Sequence, residues 1–303
     1  MEKRLTRSDY LFALLFLFML ICVAAAFFLG MKTGEGKAEA KYGWLIQAGG
    51  LESESSHYSQ QHLASFYHTI YVPYIDFEKN WFERKADLEQ GTATNPSAVF
   101  KELAGIADQS YTTIAAVNLP ASSPLLQEAQ GHFLDSLKLF REGAEQIRAV
   151  AKSATNATLA NHMDQGREFA EAKNYAIRAQ HAYFEAISAW YQSAFPSTVF
   201  MTYTNQPELS LDQWKPLSLV AKSVYISEWM KVNRAYVNYT PQDLVSRIDE
   251  FIDTQQARQL QMDSVASIAQ LLHSTEAVRD GDFSKRKTKR YGKETLPRLL
   301  FFE

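Results

Sequence analysis

A chain of 303 residues with 46% hydrophobic and 13% aromatic side chains has ample apolar material for a core, which excludes a disordered polyelectrolyte. Thirteen Gly and nine Pro are few for a many-turned sheet protein, and a single Cys excludes a disulfide framework. The formal charge of −3 is uneven: residues 285–303 carry +5 and residues 1–41 carry +2, leaving −10 for 42–284, which argues against nucleic acid as the main partner.

Residues 1–10 are a short basic leader containing Lys3, Arg4 and Arg7. Residues 11–31 carry no charge. At about 1.5 Å per residue they cover the roughly 30 Å of a bilayer's hydrocarbon core. Backbone polar groups in lipid must be paired within the segment, so a single transmembrane helix is predicted. Tyr42 and Trp44 suit the headgroup layer. Ala24 and Ala26 resemble a signal-peptidase site, but Phe27, Phe28 and Leu29 prolong the apolar run, so an uncleaved signal-anchor is expected. Ile21 is too bulky to precede a lipidated Cys22. Three basic residues stand on each side of the span, and the denser leader orients the N-terminus to the cytoplasm and the C-terminal domain outside.

Residues 32–50 are expected to form a flexible tether, with glycines at 34, 36, 43, 49 and 50. The run from Gly30 to Ala38 approaches a phosphate-binding loop but is one residue too long, and Ala38 replaces the magnesium-reaching Ser/Thr. Ala26, Gly30 and Gly34 have the spacing of self-associating membrane helices, although a plain helix end and linker is the commoner origin of such spacing.

Residues 51–284 are predicted to be an all-α bundle of about five or six long helices. From 53 to 88, Phe66, Ile70, Tyr74, Phe77 and Trp81 define one core face, and Pro73 should kink or split the helix. A loop at 91–96 leads to a helix over 97–117. In 125–151, Leu126, Phe133, Phe140 and Ile147 step by seven with Leu137, Ala144 and Ala151 interleaved, a coiled-coil-like seam. One helix is predicted over 159–194, antiparallel to the previous one. Residues 195–216 form the longest irregular stretch, a candidate contact loop through Phe200, Tyr203 and Trp214. A helix follows over 217–237. Thr240, Pro241 and Asp243 form a strong helix start, and that helix is predicted to run to about 275.

Residues 285–303 read as a basic, partly disordered tail. Lys285, Arg286, Lys287, Lys289, Arg290 and Lys293 crowd like charges together, which favours solvation and contact with an anionic membrane or envelope polymer. The apolar end, Leu299 to Phe302, suits lipid or the bundle.

No catalytic, cofactor-binding or metal signature is present. The seven His include no i,i+4 pair, and Glu54 with His57 gives one E-x-x-H where a di-iron bundle needs two. There is no nucleophile elbow, no nucleotide fingerprint and no thiol outside the span. The expected function is that of a membrane-anchored, non-enzymatic interaction or scaffold module of the cell envelope. Its expected partners are the bilayer, an anionic lipid or polymer, and another membrane protein or a second copy. The alternatives are an extracytoplasmic ligand-sensing module acting through a partner, and a membrane-bound enzyme.

Overall fold

Every regular element among the described residues (58–296, Leu299 and Phe302) is a helix in this computed structural model. The predicted span 11–31, the tether 32–50 and the Glu54–His57 motif lie outside the described residues. Among those described, no helix is long and apolar enough to cross a membrane.

Helix α1 (Gln60–Phe66) runs through a π-helical turn (Tyr67–Tyr71) into α2 (Val72–Glu89). The predicted disturbance at Pro73 takes this form. Pro73 has no N–H and its ring crowds the carbonyl four residues back, so the preceding turn widens and the Val72 N–H bonds the Tyr67 carbonyl. Helix α3 (Pro96–Ala115) starts with Asn95 as cap and Pro96 in the first turn. Helix α4 (Pro124–Val150) lies between α3 and α6 (Arg167–Ala194) and packs extensively on both.

The expected apolar stripes meet. Tyr74 lies 4.3 Å from Phe133, Phe77 5.0 Å from Phe140, and Trp81 4.5 Å from Phe140 and 4.8 Å from Phe169, centroid to centroid. Phe66, Ile70, Tyr74, Phe77 and Trp81 are all buried, as are Leu126, Phe133, Leu137, Phe140, Ala144 and Ala151 of the seam. Gly143 allows α4 and α6 to approach: a Cβ there would sit 2.7 Å from the Phe169 ring.

Two predicted helices are broken. The one over 159–194 is α5 (Asn156–Gln165) followed by α6, separated at Gly166, where a Cβ would fall 2.6 Å from the His162 carbonyl oxygen. The one beginning at Thr240 is α9 (Pro241–Asp253), α10 (Gln256–Gln259) and α11 (Val265–Ser274). Its start is as expected: Thr240 and Asp243 form a reciprocal capping box. Its breaks come at Gln255 and Gln261, both with left-handed backbone. The Met262 N–H reaches back to the Ala257 carbonyl and the Ala277 N–H to the Leu272 carbonyl, closing Schellman turns without glycine. Between these parts, α7 (Leu211–Trp214) opens on a Ser210–Gln213 capping box, and α8 (Leu219–Val232), buried from Leu219 to Met230, packs on α6 and α9.

The C-terminal segment departs most from expectation. Residues Asp282–Tyr291 form α12, docked on α9, rather than a solvated tail. The like charges are compensated by carboxylates: Arg286 pairs with Glu250 of α9 (2.8 Å) and with Asp282 one turn back in α12 (3.1 Å), and Arg290 pairs with Asp253 of α9 (2.5 Å). Beneath them a buried network closes the joint. The Asp249 carboxylate accepts from Lys222 Nζ (3.0 Å to each oxygen), Trp214 Nε1 (2.7 Å) and the Tyr291 hydroxyl (2.6 Å). Burial, reinforced by the Asp249 charge, pushes the Tyr291 hydroxyl far up, so it remains a donor. The Glu294 carboxylate accepts from the Leu219 N–H at the start of α8, and Leu299 and Phe302 are buried.

Candidate functional site

A polar cleft of about 510 Å³ opens where α4, α6 and the end of α8 meet. Helix α6 contributes Asn174, Arg178, His181 and Glu185, which at this spacing share one face. Helix α4 contributes Glu128 and His132. Lys231 lies in the last turn of α8, and Arg234 just beyond it has a left-handed backbone (φ 52°). The turn is held by the Ala235 N–H donating to the Met230 carbonyl (2.9 Å), the same glycine-free Schellman closure as after α10 and α11.

His181, only 4% exposed, is the fixed point of the cleft. Its Nδ1 lies 3.0 Å from Ser227 Oγ and its Nε2 3.5 Å from a Glu185 oxygen. Serine, histidine and carboxylate thus stand in the order of a nucleophilic triad, but the serine is not open to a substrate. The Ser227 hydroxyl donates to the Val224 carbonyl (2.8 Å) as well as lying against His181 Nδ1, so it is tied to the backbone beneath the cleft. Ser227 is also fully buried. The hydrogen bond from His181 holds the Glu185 carboxyl below the usual carboxylate range, opposed by burial and aided by the charges of His181 and Lys231.

His132 lies 3.6 Å from Glu128 and 5.5 Å from the Tyr175 ring, over which the Arg178 guanidinium sits at 6.0 Å. Arg178, Lys231 and Arg234 have no ion-pair partner among the described residues. This is the opposite of α12, whose inward-facing arginines are neutralised.

No protein family, curated protein or solved structure matches the chain. The site therefore rests on its own geometry.

The residues singled out in the sequence do not come together. Trp214 is in the core, bonded to Asp249. Phe200 is half-buried against Tyr191. Tyr203 lines a second, shallower groove of about 530 Å³ with Trp229, Gln270 and Leu271. In the basic run, Arg286 and Arg290 are spent on carboxylates, Lys285 lies 3.5 Å from Asp282 and Lys287 is half-buried, while Lys289 and Lys293 are exposed. No cleft residue was singled out, because the cleft draws on three helices and each contributes only the ordinary polar face of an amphipathic helix. Among the described residues no three His, Cys, Asp or Glu side chains form a metal-binding group.

A further polar pocket lies between α2, α6 and the segment after α8, lined by Tyr74, Glu78, Gln180 and Tyr236. Its volume of about 10 Å³ is water-sized rather than ligand-sized. Burial pushes the Glu78 carboxyl up to about 8 there.

Proposed function

We propose that this chain is a membrane-anchored, non-enzymatic helical-bundle protein of the cell envelope that works by interaction, with its N-terminus cytoplasmic and its bundle extracytoplasmic. The observation that carries the reading is the polar cleft. Arg178, Lys231 and Arg234 line it without ion-pair partners, and the Ser227 hydroxyl beside His181 is fully buried and bonded to the Val224 carbonyl. Such a surface recognises charge and has no poised nucleophile at its fixed histidine. The uncharged run 11–31 behind a basic leader supports the anchor and its orientation. A second reading, a ligand-sensing module that acts through a partner, is favoured by the size of the cleft, since about 510 Å³ falls in the small-molecule range.

Alkaline extraction of membranes should leave the full chain in the pellet, and deletion of residues 11–31 should release it. Protease added to intact cells should remove a C-terminal epitope while a cytoplasmic control survives. Release of the full chain by alkali would overturn the anchor. Protection of the epitope in intact cells, with loss after lysis, would overturn the orientation.

A further inference from the structure

We propose that the cleft between α4, α6 and α8 binds a small molecule with an oxyanion head, a phosphate ester or a carboxylate, on a neutral hydroxylated body. The inference rests on reading the cleft as a binding site and adds the chemistry of its ligand.

The head follows from the cations. Arg178 comes from α6, and Lys231 and Arg234 from the end of α8, yet all three line one cleft with no carboxylate paired to any of them among the described residues. Three cations against the two carboxylates of the lining, with none of the three in an ion pair among the described residues, leave an excess of positive charge that attracts an anion. Two of the three are guanidinium groups, whose planar fork matches a carboxylate or phosphate bidentately. The Arg178 guanidinium rests over the Tyr175 ring, and the backbone that carries Arg234 is fixed by the Schellman turn. The cleft wall is fixed too, because His181 is anchored by Ser227 beneath it.

The body follows from the acids. Glu128 and Glu185 lie in the same lining, near His132 and His181. Two carboxylates would repel a ligand charged along its whole length. They accept hydrogen bonds readily, and the Asn174 amide can both donate and accept. An anionic head with hydroxyl groups behind it satisfies both halves, and the volume admits a molecule of that size.

The test is calorimetric titration of the full chain in detergent micelles with glycerol 3-phosphate, gluconate, inorganic phosphate and uncharged glycerol, at low and high salt. Vesicles containing phosphatidylglycerol form the lipid arm. Glycerol 3-phosphate or gluconate should bind more tightly than glycerol and weaken in high salt. Arg178→Gln and Lys231→Gln should each weaken binding by about tenfold or more, as expected for loss of a charge-assisted bond. Arg234→Gly removes the third charge while keeping the left-handed turn, and should do the same without loss of fold by circular dichroism. The double change Lys289→Gln, Lys293→Gln, on exposed cations of the C-terminal segment, should leave binding unchanged. Vesicle binding that needs Arg178 and Lys231, with soluble anions silent, would support the oxyanion and assign it to a lipid headgroup. Glycerol binding as tightly as glycerol 3-phosphate would overturn the oxyanion while leaving a binding site. Binding lost equally in the Lys289/Lys293 variant would reduce the effect to surface charge and overturn the proposal. Silence of every soluble and vesicle arm would overturn both the ligand class and the cleft as a binding site.

Discussion

Replacing Asp249 by Ala should be among the most damaging single changes in the bundle. The carboxylate is 5% exposed and accepts from three side chains: Lys222, Trp214 and Tyr291. Removing it strands the Lys222 ammonium, 6% exposed, with no counter-charge in contact, and orphans the Trp214 N–H and the Tyr291 hydroxyl. Breaking a buried ion pair from one side costs about 3–5 kcal/mol, because the remaining charge stays desolvated. Against a total stability of about 5–15 kcal/mol, that is a large fraction. With an m value of about 3 kcal/mol per molar, the urea midpoint should fall by more than about 1 M. Hydrogen exchange should lose protection first in α12, since Tyr291 is its anchor to α9. Adding Lys222→Met to the Asp249→Ala chain removes the stranded charge and should recover part of the loss. A loss below about 1 kcal/mol in the single variant would refute the reasoning, since it would mean that solvent or rearrangement satisfies Lys222 after all.

Burial raises the Glu78 carboxyl to about 8 from 4.5, so the folded chain holds a proton there that the unfolded chain releases. The contribution of Glu78 is therefore fully present below pH 4.5. It declines between 4.5 and 8 by up to about 1.4 kcal/mol per pH unit, then levels off, and Glu78→Gln should flatten that slope in urea titrations across the range. Gln261 is exposed at φ 54°, where a side chain costs about 1 kcal/mol or more, and Gln261→Gly should raise the thermal midpoint by a few degrees. Gly143→Ala gains about 1 kcal/mol of helix propensity, but its Cβ meets the Phe169 ring at 2.7 Å. Overpacking of about 1–3 kcal/mol should outweigh the gain and lower the urea midpoint; a rise would show that Phe169 gives way freely.

The long, strongly periodic helices were legible because periodicity is a local signal. The aromatic stripe from Phe66 to Trp81 and the seven-residue steps from Leu126 marked their buried faces before any partner was known, and each found the other. The Thr240–Pro241–Asp243 start was legible for the same reason, since capping is decided within one turn. The breaks at Gln255 and Gln261 were hidden because they use left-handed residues other than glycine, so composition carries no mark of them. The docking of α12 was hidden because its counter-charges, Glu250 and Asp253, lie about forty residues upstream, and a charge run read alone has only itself to repel.

Helix α8 shows why the cleft needed the fold to be seen. Its two lysines, Lys222 and Lys231, stand at opposite ends of one helix, and nothing local to either shows which will meet a carboxylate from another helix. Lys222 is buried, paired to Asp249 at 3.0 Å, and its charge is consumed in holding the C-terminal segment. Lys231 has no ion-pair partner among the described residues and opens onto a cleft shared with Arg178 and Arg234. The first charge is already neutralised within the protein, while the second still has binding free energy to give. Partnership, not residue type, separates the structural cation from the one available to a ligand, and partnership is settled by helices brought together across the bundle.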